Sequence, residues 1–230
     1  GVSQYNQMFR PLMFDSVQIP DPSMDEAHAL EQLEVTLHQY SEEIAAVVIE
    51  PLLMGAGGMK ITSPDFLKNV RYLTRKHHVH LISDEVATGF GRTGHLFASN
   101  AANVTPDFMC LSKALTNGQL PLAVTMLTDE IYRAFYADFE EGKTFYHGHT
   151  FTANTLGCAV ANATLTTLDE WDWKRNVDAI HQRLDVELNQ LNDQFYCLSN
   201  PRTIGTVGAI DIDLSGHRAM FKLTQIGFEH

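Results

Sequence analysis

Lys113 is the only charged residue between Phe108 and Thr128, and it closely follows the apolar run Phe108-Met109-Cys110-Leu111. An ammonium partly withdrawn from water has a depressed pKa, which leaves a nucleophilic amine near neutral pH. Such an amine can condense with an aldehyde. A lysine at a strand end can also snorkel to solvent, and isolation alone favours that plainer reading. Asp84 ends a second apolar run, Val79 to Ser83, and Glu50 ends a third, Ile44 to Ile49. Ligand sites in parallel α/β sheets lie outside the carboxyl ends of strands, where a carboxylate can pair with a cationic ring nitrogen. An acid facing solvent or capping a loop explains either residue equally well.

The remaining candidates are weaker. His147-Gly148-His149 and His77-His78-Val79-His80 invite a metal, but a metal needs several converging ligands. His77 and His78 close a polar helix end, where histidine suits the dipole, so surface residues are expected there. His147 and His149 lie beside Thr150 and Asn154 ahead of a helix. A hydroxyl and free backbone N–H groups at that place suit an anion such as phosphate better than a metal. Gly55-Ala56-Gly57-Gly58 and the group Gly89, Gly91 and Gly94 lack G-x-G-x-x-G spacing and read as structural turns.

The elements that would position these residues alternate. A helix is expected near Ala27–Tyr40, then a strand over 44–49 buried on both faces. Ser63-Pro64 gives a cap and a first-turn proline for a helix with Phe66, Leu67, Val70 and Leu73 on one face. Val79–Ser83, Phe108–Leu111 and Pro121–Leu127 read as further strands, and Thr128-Asp129-Glu130 opens another helix. Asn154 to about Leu168 reads as a well-buried helix. Val177, Ile180, Leu184, Leu188 and Leu191 mark an amphipathic one, and Thr206–Leu214 reads as a strand. Strand, helix and strand in alternation imply an α/β fold with a mainly parallel sheet. A change of texture near 169–175 divides the chain into residues 1–168 and the start of a second, smaller unit, 169–230.

The formal net charge is -12, from 28 acids against 16 bases, with no basic cluster to offset it. A nucleic-acid or anionic-membrane surface is therefore not expected. Cys110, Cys158 and Cys197 are few and widely spaced, which excludes a disulfide framework and suits a reducing cytosol. No apolar run approaches the ~20 residues of a membrane span, and residues 1–10 lack signal-peptide order. A soluble, cytoplasmic protein is the expectation.

Several stretches together are far more specific than any one. Ile49-Glu50-Pro51 leads to Gly55-Ala56-Gly57-Gly58-Met59, then to Asp84-Glu85-Val86-Ala87-Thr88-Gly89-Phe90-Gly91-Arg92-Thr93-Gly94. Pro106-Asp107, Leu111-Ser112-Lys113-Ala114-Leu115-Thr116-Asn117-Gly118 and His147-Gly148-His149-Thr150-Phe151 follow, with Asn154 and Cys158-Ala159. This order and spacing resemble the class III, fold-type I aminotransferases. The resemblance implies pyridoxal 5'-phosphate as cofactor, a large cofactor-binding domain and part of a small α+β C-terminal domain. It also implies an amine donor, a keto acid acceptor, and a homodimer with shared active sites. By resemblance Lys113 bonds covalently to the cofactor and Asp84 pairs with its ring nitrogen. Thr150 holds the phosphate of the neighbouring subunit's cofactor and Gly148 contacts substrate. His149 falls beside it, with any cofactor contact through backbone.

Two features select a branch. Ornithine- and GABA-type members have glutamine where this chain has Ala87, and a switch glutamate where it has Gly55. Both replacements resemble the biotin-pathway branch. That branch implies transfer from S-adenosylmethionine to 8-amino-7-oxononanoate, giving 7,8-diaminononanoate. Another class III ω-amino acid transaminase, or a non-catalytic fragment retaining the fold and dimer surface, remains the alternative. Members of the family are considerably longer. The N-terminal phosphate turn and the C-terminal substrate arginine have no counterpart here, so an incomplete chain is expected.

Overall fold

A computed structural model describes residues 7–213. Asp25 opens helix α1 (Glu26–Tyr40), its carboxylate accepting the His28 N–H at 3.0 Å. Strand β1 (Ala46–Ile49) follows, then a small hairpin of β2 (Leu53–Met54) and β3 (Lys60–Ile61) around the Gly55–Gly58 run. Helix α2 (Pro64–Lys76) starts where Ser63-Pro64 places it, with Ser63 Oγ accepting the Phe66 N–H at 3.0 Å. After β4 (His80–Asp84) come a one-turn helix α3 (Ala98–Ala101), β5 (Phe108–Leu111), β6 (Val124–Leu127) and α4 (Asp129–Phe135). A largely irregular stretch, with a 3-10 turn at Phe139–Glu141, leads to helices α5 (Thr155–Glu170) and α6 (Trp173–Gln194), and a hairpin of β7 (Leu198–Ile204) and β8 (Val207–Ile212) follows. Leu214 and the closing segment 226–230 lie outside the described residues.

The main sheet has the order β1-β4-β5-β6. The first three strands are parallel and β6 is antiparallel to β5, so the sheet is mainly parallel, as the alternation of elements implies. Successive side chains on a strand point to opposite faces. Val47, Ile49 and Leu81 therefore share one face. There they meet Ala29, Leu33 and Leu37 of α1 and Phe66, Leu67, Val70 and Leu73 of α2. The opposite face differs from expectation. β1 is not buried on both sides: Val48 is 64% exposed, because α1 and α2 cover the same face of the sheet. Helix α5 is present but is not well buried either. Only Gly157 and Ala161 are covered, while Leu156 and Leu165 face outward.

One buried ion pair locks α2 to the sheet. Arg71 donates from both terminal nitrogens to Asp107, at 2.6 and 2.8 Å, in the forked geometry that suits guanidinium and carboxylate. Asp107 Oδ2 also accepts the Leu81 N–H at 2.7 Å, and the Asp107 N–H donates to Leu81 O at 2.9 Å. Burial pushes the Asp107 carboxyl up. The hydrogen bonds from Arg71 and Leu81, with the Arg71 charge and His80, outweigh it and hold the group below the usual carboxylate range.

Helix α6 lies across the β7–β8 hairpin, with Leu184 and Leu188 against Gly208. Both Gly-rich turns of the first part of the chain meet this unit. Arg202 of β7 donates to Gly58 O at 2.6 Å and Met59 O at 2.9 Å, and pairs with Asp211 at 2.8 Å. Thr206 N–H donates to Arg92 O at 2.9 Å. Gly205, at φ +54°, sits so close that an added Cβ would be 2.3 Å from Arg92 O and 2.6 Å from Gly94 N. Gly205→Ala is therefore expected to cost about 1–3 kcal/mol, since backbone must shift and a left-handed φ must hold a side chain. Thermal unfolding measures it; an unchanged midpoint contradicts this docking.

Candidate functional site

The register places two of the candidate residues at one edge. Asp84 at the end of β4 pairs with Cys110 of β5, and Cys110 pairs with Thr125 of β6. Paired residues share a face, so Asp84, Cys110 and Thr125 form a row on the side away from α1 and α2. Lys113 lies three residues beyond Cys110, at the same carboxyl end of the parallel strands. Glu50 directly follows Ile49, the partner of Ser83, so a third polar residue ends the adjacent strand. Glu50 is occupied otherwise: its Oε2 accepts the Gly55 N–H at 2.8 Å and closes the Gly-rich hairpin.

Asp84 is half-buried, and its Oδ1 accepts the Val86 N–H at 3.1 Å. No protein donor reaches Oδ2 among the described residues, which leaves one oxygen for an N–H from elsewhere. The electrostatics agree with the register. Burial first, and then the Asp84 charge, push the neighbouring Cys110 thiol up, against a hydrogen bond with Thr125.

Lys113 opens a 3-10 turn, Lys113–Thr116, with φ +46°. A left-handed conformation in a long-chain residue costs energy and marks a place where surrounding structure imposes the backbone. Leu115 and Thr116 anchor the turn inward, Thr116 Oγ1 donates to Leu120 O at 2.5 Å, and α5 packs against it. Asn117, also left-handed at φ +50°, ends it. The sequence reading put the lysine partly out of water. Here Lys113 is exposed, because the turn buries Leu115 and Thr116 and leaves its first residue outside.

Gly148, His149 and Thr150 lie together in an exposed turn ahead of α5. Asn154 caps that helix, its Oδ1 accepting the Gly157 N–H at 2.7 Å. The backbone N–H of His149 donates to Thr152 Oγ1 and its carbonyl accepts the Thr152 N–H, each at 2.9 Å. His149 Nδ1 accepts the Phe151 N–H at 3.2 Å. The His149 carbonyl, which accepts one hydrogen bond here, keeps a second lone pair for a further contact. The Thr150 hydroxyl has no hydrogen-bond partner among the described residues. The helix that follows this turn, α5, packs on the Lys113 turn.

Glu85 was overlooked as anything but the neighbour of Asp84. It is 0% exposed, and its carboxylate accepts four hydrogen bonds from Thr88 Oγ1, Ala98 N, Ser99 N and Ser99 Oγ. The faint signal available was an acid one residue out of phase with Asp84, and so on the helix-covered face.

A parallel sheet with a lysine and an aspartate at the carboxyl ends of adjacent strands is the arrangement that the resemblance implies. The sequence matches the class-III aminotransferase family over residues 2–227, and the chain belongs to that family. Its cofactor is pyridoxal 5'-phosphate. Among individual proteins, the chain is 38% identical to adenosylmethionine-8-amino-7-oxononanoate aminotransferase of Geobacter sulfurreducens, over 92% of this chain and 49% of that one. It is 43% identical to the enzyme of that name from Helicobacter pylori, over 92% of this chain and 50% of the relative. A crystal structure of the same-named enzyme from Methanocaldococcus jannaschii superposes with a TM-score of 0.91 at 31% identity. That match covers 99% of this chain and 54% of the other, a fold-type I aminotransferase chain. The chain spans about half the length of the curated relatives it matches.

Proposed function

We propose that this chain carries the lysine and aspartate of an enzyme that moves an amino group from S-adenosylmethionine to 8-amino-7-oxononanoate, giving 7,8-diaminononanoate. The observation that carries the proposal is the register Asp84↔Cys110, which brings Asp84 to the strand edge that Lys113 follows. The names of the relatives at 38–43% identity support this choice of substrates. So do Gly55 and Ala87, at the two positions that distinguish the branch.

The residues present fit the cofactor. Asp84 offers an uncommitted carboxylate oxygen at the end of β4, and the left-handed turn at the end of β5 presents a primary amine. When bound, pyridoxal phosphate supplies an aldehyde that takes up the amino group and a ring that takes up electrons. Lys113 would hold the cofactor through its Nζ, and the same amine, when free, would carry a proton to or from the substrate. Asp84 Oδ2 keeps the ring nitrogen protonated. Thr150 donates its hydroxyl to the phosphate of the neighbouring subunit's cofactor, and Gly148 leaves room for substrate. His149 lies beside them, and any contact it makes with the cofactor is through its backbone.

The quaternary proposal is a homodimer. Phe135, Phe139, Tyr146, Phe151 and Leu156 are all exposed on the segment around that turn, far more apolar surface than scattered solvent contacts explain. No helix among the described residues is long and apolar enough to cross a membrane, and a cytoplasmic location suits a biosynthetic enzyme of this family. Residues 1–168 serve as the large-domain part and 169–230 as the start of the small domain.

Mass spectrometry of the protein loaded with pyridoxal phosphate tests the substrates. With S-adenosylmethionine and 8-amino-7-oxononanoate, the expected product is 7,8-diaminononanoate. Turnover of β-alanine with pyruvate instead would assign an ω-amino acid transaminase. Failure to take up the cofactor would assign a non-catalytic fragment.

A further inference from the structure

We propose that Glu85 is a positioning residue, fixing the direction of Asp84 and thereby the strength with which the cofactor ring is held; this rests on the cofactor role of Asp84 proposed above. On a strand, the side chains flanking a residue point to the opposite face. Ser83 and Glu85 flank Asp84, and both are fully buried. Both are anchored to one residue. Ser83 Oγ and Ser99 Oγ are 2.9 Å apart, while Glu85 Oε1 accepts from Ser99 N and Ser99 Oγ at 2.8 Å each. Oε2 accepts from Thr88 Oγ1 at 2.5 Å and Ala98 N at 3.0 Å. The Glu85 N–H donates to Cys110 O at 3.0 Å, extending the β4–β5 ladder one step past Asp84.

With both neighbours pinned, the backbone at Asp84 is held in place, which directs its side chain to the opposite face. A buried carboxylate is costly unless its acceptor positions are filled, and here four donors fill them. The four donors come from both ends of the 85–99 loop, so the loop closes on the position directly behind Asp84. The same loop carries Arg92, whose carbonyl receives Thr206 from the β7–β8 unit. Glu85 thus joins the acid of the site to the surface on which the second unit docks.

Glu85→Gln tests this, because it keeps size and shape but puts an amide N–H₂ where two donors converge. The measurements are pyridoxal-phosphate affinity by fluorescence, the pH titration of the bound cofactor's visible absorbance, and trypsin cleavage after the exposed Arg92. The expected results are affinity weakened about tenfold, the size seen when partners orienting a binding group are lost, a shifted titration, and faster cleavage at Arg92. Thr88→Val, which removes one donor only, should move all three the same way by less, and serves if Glu85→Gln does not fold. Unchanged affinity and titration in either variant, with only lowered thermal stability, would overturn the proposal and make Glu85 purely structural. If Asp84→Ala also leaves affinity and titration unchanged, the cofactor role of Asp84 fails first. Effects with Asp84→Ala but not with the Glu85 variants would reject Glu85 alone.

Discussion

Lys113→Ala is expected to leave a folded chain that no longer holds pyridoxal phosphate covalently. Amino transfer should fall by at least the roughly 10²–10⁴-fold that a positioned proton carrier contributes. Stability should not fall with it. Lys113 is exposed and has a strained φ of +46°, and its turn is anchored by Leu115, Thr116 and α5 rather than by its own side chain. Lys113→Gly should relieve that strain and melt at a slightly higher temperature while remaining as inactive. Circular dichroism and cofactor absorbance read the two effects separately. Covalent retention of cofactor by Lys113→Ala would contradict the assignment.

The largest structural effect is expected at Asp107. Its side chain and that of Arg71 are 17% and 12% exposed, so removing the carboxylate leaves a guanidinium buried without its counter-ion. Asp107→Ala should cost about 3–5 kcal/mol, the range for breaking a buried pair from one side. It also takes away the acceptor for the Leu81 N–H, in the strand that ends at Asp84. The pH dependence follows in sign. A carboxyl held below its ordinary value of about 3.9 stabilises the fold fully above that value. The contribution is lost as pH falls through the lower folded-state pKa. Urea midpoints at neutral and acid pH should therefore converge for wild type and Asp107→Ala, and parallel lines would contradict the pairing.

These two residues show how unevenly the molecule was legible. Lys113 was visible because one charge stands in a twenty-residue neutral stretch, and Ser63-Pro64 located α2 because cap chemistry is local. The exposure and left-handed turn of Lys113 were not visible, because they depend on α5 packing from forty residues away. The two-sided burial expected for β1 failed for a related reason. An apolar run shows that a strand can be covered on both faces, but not whether anything covers the second. β7 was missed because Ser199-Asn200-Pro201-Arg202 lacks strand texture. The irregularity sits there, with Asn200 at φ +52° and a shift of register between Ser199 and Arg202. Glu85 was hidden by its neighbour, since two adjacent acids at a strand end look alike until the pleat separates them.

The Gly-rich turns were read correctly as structural, though not for what they hold. Gly58 and Met59 present carbonyls to Arg202, and the turn at Arg92 receives Thr206. Arg202→Ala should loosen this clasp at both ends, since the same side chain pairs with Asp211. Hydrogen bonds from Asn200 and then Arg202 hold the Asp211 carboxyl below its ordinary range, against a smaller upward push from burial. A cost of about 1–3 kcal/mol in thermal unfolding is expected from the lost charge-assisted contacts to Gly58 O, Met59 O and Asp211. No change would show that the hairpin is held without the Arg202 clasp.

Borohydride reduction of the pyridoxal-phosphate-treated protein, followed by peptide mass mapping, tests the central claim most directly. A single pyridoxyl adduct on Lys113, absent from Lys113→Ala, is the predicted result. Label spread over surface lysines such as Lys68 and Lys143, or absent from Lys113, would contradict it.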